Sequence, residues 1–390
     1  MEFNFILTVI FLTLVYLLLH TYIIYPVLIL IISSFYKKHS IKDGKQFPEI
    51  SILISAFNEE KVIENRVQNI ARLDYDFNKL EVIVGSDSST DKTNLILQDL
   101  CKKYHWLKVK IFKNRRGKAA VLNDLVNDSK NPILVFTDAN TTFKKDSLVR
   151  LVKHFSDVQI GGVCGRLILT EPQRGFNKSN KEKTYWEYET FLKSFEGKMG
   201  MLMGANGGIF SIRRILFDEI PINKPVTDDL FITLSILKKK FKFIFDYNAI
   251  AYEEVPKEIK SEFNRKVRFA ATNFQTLLIF KSLLISKNLL LSFVFWSHKV
   301  IRWIMPFALV LIFLINILLI GYSEIFLKLF YFQVIVHSLS IIGYFLSLLR
   351  IRLPLITIIF FFNFTNLALF IGFFRFLFRK HSYIWESTPR

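Results

Sequence analysis

Glu49-Ile50-Ser51-Ile52-Leu53-Ile54-Ser55-Ala56-Phe57-Asn58-Glu59-Glu60 is the stretch on which the fold turns. Its first eight residues read as a buried strand, and the run ends abruptly in an amide and two carboxylates. Moving outward, the pattern repeats: helix over 60–73, strand over 80–86, helix over 91–104, strand over 107–112, helix over 118–128 and strand over 133–137. Buried strands alternating with amphipathic helices mean βαβ units, hence an α/β domain with a mostly parallel sheet. In such sheets the ligand crevice lies beyond the carboxyl ends of the strands. The polar clusters fall there: Asn58-Glu59 after the first strand, Asp87 after the second, Asp138 and Asn140 after the fourth. Neither GxGxxG nor a Walker-type GxxxxGKS/T occurs, and no internal repeat is present, so dinucleotide and P-loop chemistry are set aside.

Away from this centre the composition changes. The 390 residues are 51% hydrophobic, and the apolar residues gather at the two ends. Residues 5–35 hold no Lys, Arg, Asp or Glu, and about 20 apolar residues span a bilayer core. A cleaved signal peptide would want a basic start, a shorter core and a small-residue cleavage site. Here Glu2 precedes the run, while Lys37 and Lys38 follow it. The reading is a retained anchor over 1–36, N-terminus out, with a cytoplasmic domain over 37–279 that begins in a polar linker, 37–46.

Residues 280–300, with Lys281 and Lys287 among Leu, Ile and Phe, read as an interfacial amphipathic helix. Residues 301–390 hold about three more spans, over 301–321, 325–349 and 353–378. Arg350 and Arg352 fit a cytoplasmic loop if the first of these runs outward. Arg375, Arg379, Lys380 and Arg390 then fall on the wrong side, which leaves an interfacial or re-entrant segment, or a local breach of the positive-inside rule. A multi-pass protein of the inner (plasma) membrane is expected, with the lipid bilayer as a partner. The net charge of +19 invites a nucleic-acid reading. The basic residues are scattered and lie near the spans, so anionic headgroups explain them more simply and no nucleic-acid partner is expected. Cys101 and Cys164 form neither a metal spacing nor a disulfide framework.

Each polar cluster has a bland account and a chemical one. Asn58, Glu59 and Glu60 favour a helix start. Lys118, in Gly117-Lys118-Ala119-Ala120-Val121-Leu122-Asn123, opposes the dipole of the helix it opens and needs a compensating anion. Asp138 and Asn140, in Thr137-Asp138-Ala139-Asn140, cap a strand-end turn in the bland account. Gly204-Ala205-Asn206-Gly207-Gly208 is either a plain turn or a place where backbone approaches a ligand closely. Thr227-Asp228-Asp229 announces a helix start after Pro225. Adjacent like charges also raise one pKa, which makes that carboxylate a stronger base. Arg265-Lys266-Val267-Arg268-Phe269 suits lipid headgroups beside a membrane in the bland account. Trp186 and Glu189 sit on a predicted helix, His298 stands alone, and Asn363 and Asn366 lie inside the last span.

In order and rough spacing, from Ile50 to about Pro306, these motifs resemble the inverting, membrane-embedded glycosyltransferases of family 2, the group containing cellulose, hyaluronan and poly-N-acetylglucosamine synthases. The resemblance implies a GT-A-like, nucleotide-sugar-binding α/β domain with transmembrane α-helices. It implies that Asn58, Glu59 and Asp87 hold the nucleoside, Lys118 the pyrophosphate, and Asp138 with Asn140 the Mg2+ or Mn2+. Asn206, Gly207, Asp228 and Phe269 would face the acceptor, Asp229 would be the catalytic base, and Arg268 would clamp the leaving diphosphate.

Three departures stand out. Asn140 replaces a second aspartate and coordinates more weakly; Arg265 replaces a glutamine; Phe269 replaces a tryptophan, which weighs against a long-chain polymerase. The implied reaction moves a sugar from a UDP-sugar, with inversion, to a growing polysaccharide or cell-envelope glycan, or non-processively to a lipid-linked acceptor. A nucleotide-binding transporter or scaffold, the reading from another class, would place functional polar residues inside the spans, which carry few. The sugar, the linkage and any accessory export subunits leave no mark in the sequence.

Overall fold

The computed structural model describes residues 2–37, 47–170, 180–254, 259–349, 351 and 353–379, with backbone alone over 180–186. Lys38, the rest of the expected linker, the Trp186 side chain, Arg350, Arg352, Lys380 and Arg390 lie outside the described residues. The chain divides into two units, one built on residues 32–178 and 187–257, the other on 1–31, 179–186 and 258–381.

The first unit contains one eight-stranded sheet: β1 Ile50–Ala56, β2 Leu80–Ser86, β3 Leu107–Ile111, β4 Ile133–Phe136, β5 Thr141–Phe143, β6 Ile160–Thr170, β7 Phe210–Arg213 and β8 Lys242–Glu254. The order is β3-β2-β1-β4-β7-β6-β8-β5. β3, β2, β1 and β4 run parallel, as do β6 and β8. β7 is antiparallel to both β4 and β6, and β5 is antiparallel to β8. The sheet is therefore mixed and mostly parallel. In β1 every residue except Ser55 is buried, the signature of a strand covered on both faces. Burial of each Ile or Leu there contributes about 1.5–3 kcal/mol, so the run that reads as a strand is also the centre of the core.

Two expected helices are shorter than their patterns. The 60–73 segment is helical over Ile63–Ile70, because the Glu59 carbonyl accepts from the Val62 and Ile63 N–H groups and makes a turn first. The 91–104 segment is helical over Thr93–Lys103, where the Asp91 carboxylate accepts from the Thr93 N–H at 3.0 Å. The helix Lys118–Asp128 keeps its expected bounds. It rests directly on β2, since a Cβ at Gly85 would lie 2.5 Å from Val121 Cγ1.

The second unit is helical. Glu2–Ser34, Leu289–Leu319, Glu324–Leu348 and Pro354–Leu377 are each long and apolar enough to cross a membrane. Phe11 meets Phe326 edge-on at 5.5 Å within a cluster that includes Ile312, Ile315 and Leu319. The expected boundaries need two corrections. Ile259–Ile279, placed in the 37–279 domain by its charge, belongs to this unit. Gly372 admits it, because a Cβ there would sit 2.3 Å from Ala270 Cβ, and Phe274 packs on Phe373 at 5.1 Å.

Residues 280–300 are also not one interfacial helix. Lys281–Ile285 is a short 3-10 turn. Asn288 then caps a new helix by accepting the Leu291 N–H at 3.1 Å. That helix runs through a π-helical segment, Trp296–Val300, into Ile301–Leu319. Both expected interfacial lysines precede the cap, so the helix beyond Asn288 is apolar enough to join the span. Asn363 and Asn366 donate to Ile359 and Phe362 carbonyls one turn back in their own helix, at 3.1 and 2.9 Å.

Candidate active site

The loops beyond β1 and β2 are tied together. Asn58 has a left-handed backbone, φ 54°, which asparagine tolerates better than most residues. Its Oδ1 accepts the Thr90 N–H at 2.8 Å, and its own N–H donates to Ser89 Oγ at 3.1 Å. Glu59 is buried, and its N–H donates to Thr93 Oγ1 at 2.8 Å. Asp87, buried just past β2, accepts the Arg116 and Gly117 N–H groups at 2.7 and 2.8 Å. That grip fixes the approach to the helix Lys118–Asp128. Gly117 enters it at φ 87°, a backbone that favours glycine.

Lys118 is the hub. Its Nζ lies 2.9 Å from Asp138 Oδ1 and 2.9 Å from Asp228 Oδ2. Burial alone would lower its pKa, but the charges of Asp138 and Asp228 outweigh it and hold the ammonium above the usual lysine range. The anion that the helix dipole demands is thus supplied, in the protein alone, by two carboxylates from distant parts of the chain. Asp138 follows β4, and Asp228 opens the helix Asp228–Lys238 behind Thr227.

Asp229, next on that helix, accepts the Leu230 N–H at 2.6 Å. Burial and then the charge of Asp228 push its carboxyl up to about 6, against the pull of Lys118 and Lys193. Gly207 closes the arrangement: a Cβ there would lie 3.2 Å from Asp229 Oδ2 and 3.9 Å from Asp138 Oδ2. Asp138, Asp228, Asp229, Lys118 and Gly207 therefore share one small region, and Asp87 braces the loop that delivers Lys118.

Other expected residues are placed differently. Asn206 is buried, with Oδ1 accepting from Lys193 Nζ at 2.5 Å and Nδ2 donating to the Gly165 carbonyl at 2.7 Å. Asn140 donates through Nδ2 to Glu253 Oε1 at 3.1 Å. Arg268 and Phe269 lie on Ile259–Ile279 in the helical unit, the Arg268 guanidinium 5.5 Å from the Phe269 ring. Arg265 pairs there with Glu262 at 2.7 Å.

Four residues escaped the sequence reading. Lys193 is buried beside Asn206. With Glu189 and Glu196 it forms a charged stripe at helical spacing, which reads as a solvated face. Arg66 is wholly buried behind the site, donates to Thr137 Oγ1 at 3.0 Å and lies over the Phe143 ring. Its signal was available, because Arg66 interrupts the apolar face of Ile63, Val67 and Ile70. Thr233 accepts the Ala205 N–H and donates to the Asp229 carbonyl, joining the glycine loop to the aspartate helix. Glu253 faces Asn140 from β8, a contact that only the folded sheet creates.

The donor set fits a divalent cation. Asp138 and Asp228 already share one cationic atom, and carboxylate oxygens are the hard ligands that Mg2+ and Mn2+ require. Among the described residues no three His, Cys, Asp or Glu side chains form a ready-made cage. A cation here would complete its shell with ligand oxygens and water, as Mg2+ commonly does.

Known proteins resemble this chain in sequence and in fold. Residues 51–220 match the model of Glycosyl transferase family 2. A probable glycosyltransferase, YdaM of Bacillus subtilis, is 28% identical over 254 residues, covering 60% of this chain and 58% of that protein. A beta-monoglucosyldiacylglycerol synthase of Nostoc sp. is 27% identical over 215 residues, covering 54% and 45% respectively. A poly-beta-1,6-N-acetyl-D-glucosamine synthase of Staphylococcus epidermidis is 23% identical over 245 residues, covering 60% and 57%. The chain thus spans about half the length of these curated relatives. Among solved structures, the mannosyltransferase PcManGT from Pyrobaculum calidifontis, in complex with GDP-Man and Mn2+, aligns with a TM-score of 0.75 at 20% identity, covering 96% of this chain and 100% of that one. The sheet unit therefore has a GT-A-like glycosyltransferase fold, and residues 51–220 within the chain resemble family 2 glycosyltransferases.

Proposed function

We propose that this protein is a membrane-bound glycosyltransferase that moves a sugar from a nucleoside-diphosphate donor, a UDP-sugar, to a cell-envelope glycan or lipid-linked acceptor with inversion. The observation that carries the reading is the meeting of Asp138 and Asp229 at Gly207, with Lys118 between Asp138 and Asp228. That meeting supports a base at one carboxylate and a partner for the diphosphate at the other.

In this reading Asp229 takes the proton from an acceptor hydroxyl. The hydroxyl oxygen forms the new bond to the anomeric carbon from the face opposite the donor's diphosphate. The bond from that carbon to the diphosphate oxygen breaks, and its electron pair leaves with the diphosphate. A carboxyl held near 6 is a competent base at neutral pH. Asp138 and Asp228 would hold Mg2+ or Mn2+, whose charge would offset that of the departing diphosphate, while the Asn140 amide expected beside Asp138 is engaged with Glu253. Asp87 positions the Lys118 loop, and Asn58 and Glu59 line the loop beyond β1, at the crevice of the parallel half. Arg268 is assigned to the diphosphate and Phe269 to the acceptor on the family resemblance. The domain is assigned to the cytoplasmic side.

The experiment is a panel of nucleotide sugars offered to purified protein, read by diphosphate release and by chromatography of labelled product. Turnover with one donor, abolished in Asp229→Asn, supports the assignment, and product size separates polymer from short lipid-linked species. No release with any donor, or full turnover by Asp229→Asn, sinks it.

A further inference from the structure

We propose that Lys118 is an exchangeable counter-ion. Its ammonium holds Asp138 and Asp228 together before a divalent cation arrives, then yields those carboxylates and turns to the diphosphate. The inference rests on the proposed metal site and adds how that site is kept and opened.

Asp138 and Asp228 come from different elements, ninety residues apart in the chain, and both touch Nζ at 2.9 Å. Without a cation between them, these carboxylates, with Asp229 adjacent, would repel one another. The lysine that prevents this is the first residue of the helix Lys118–Asp128, where the dipole disfavours a positive charge. Nothing in the helix rewards an ammonium at that position; what holds it is the pair of carboxylates it meets.

Its side chain is 28% exposed and those of Asp138 and Asp228 are 31% and 24% exposed, so the pairing sits at the mouth of the site. At this exposure solvent screens part of the attraction in each pair. A divalent cation, with twice the charge and a requirement for oxygen ligands, displaces such a group readily. The freed ammonium stays on its flexible stem in the first turn of the helix, where it meets a diphosphate as a mobile point charge. One lysine thus serves two anions in succession. Cation and nucleoside diphosphate then bind cooperatively, because the cation releases the group that the diphosphate uses.

The test uses the purified full chain in detergent, with free Mn2+ measured by electron paramagnetic resonance in the absence of nucleotide. Lys118→Met should bind Mn2+ about fivefold more tightly than the wild type, the effect of losing one partly exposed ion-pair competitor. Lys118→Arg should bind it several-fold more weakly, because a guanidinium fork grips two carboxylates better than an ammonium. With saturating Mn2+, Lys118→Met should bind UDP more weakly than wild type. Unchanged or weaker Mn2+ binding by a cooperatively melting Lys118→Met overturns the exchange and leaves the metal site standing. Should Lys118→Met fail to fold, wild-type or tighter binding by Lys118→Arg overturns it instead. If no form binds Mn2+ with or without UDP, the metal assignment itself falls.

Discussion

Gly207 and Asp229 approach so closely that a Cβ on the glycine would stand 3.2 Å from Asp229 Oδ2, a contact that only a small shift of the carboxylate could relieve. The same Cβ would be 3.9 Å from Asp138 Oδ2, so one missing side chain lets the proposed base and the proposed metal ligand face a common space.

Gly207→Ala therefore acts on geometry rather than on the fold. It should lower turnover about tenfold or more, since small misplacements of reacting groups are costly, while the melting temperature moves by only a few degrees. Diphosphate release and a thermal melt check this together. Wild-type turnover would mean that the two carboxylates do not border the reacting atoms.

The raised Asp229 carboxyl sets a pH dependence. A base works when deprotonated, so kcat/KM should rise with pH through about 6 and level off above it. Asp229→Asn should lose that limb and roughly 10²–10⁴ of the rate. Profiles from pH 5 to 8 on both proteins decide the matter, and an unshifted acidic limb in the variant would assign the base elsewhere.

Asn140→Asp would restore the carboxylate that the metal motif lacks, but it would set that charge against Glu253, whose Oε1 takes the Asn140 amide at 3.1 Å. The variant should melt about 2–4 °C lower, the shift expected for ~1 kcal/mol in a domain of this size. Adding Glu253→Gln should return the melting temperature toward wild type. A stable single variant would show that the two side chains are not coupled.

Gly85→Ala tests how Lys118 is delivered. A Cβ 2.5 Å from Val121 must push the helix off β2, at a cost of about 1–3 kcal/mol. Weaker UDP binding should accompany the loss of stability. Undiminished UDP affinity would separate the helix position from diphosphate binding.

The parallel half of the domain was legible because β1, β2 and β4 are short, mostly apolar runs between amphipathic helices, and because the polar turns beyond them mark a crevice. The antiparallel half was not. β5 has three residues and β7 four, too few for periodicity to register. The apolar character of β8 is broken by Asp246, Tyr247 and Asn248.

At the site, Asp138, Asp228, Asp229 and Lys118 could be named from motifs that resemble a known family's, yet that Lys118 pairs with Asp138 and Asp228 is a fact of tertiary structure. Glu253 and Lys193 were hidden for the same reason, since their partners lie 113 and 13 residues away across strands and loops. The misplaced boundary at 279 has a different cause. The charges of Ile259–Ile279 suggested a soluble helix, whereas small residues at Ala270, Ala271 and Gly372 let it lie among apolar ones.

The cross-links Asn58–Thr90 and Asp87–Gly117 bear on selectivity. Turns laced to each other before any ligand arrives lose little further freedom when one does, so little affinity is spent on ordering them. A rigid rim of this kind cannot remould itself around a different nucleoside. On the proposed nucleoside assignment, changing the preferred base would take new side chains along this rim rather than a shift of its backbone.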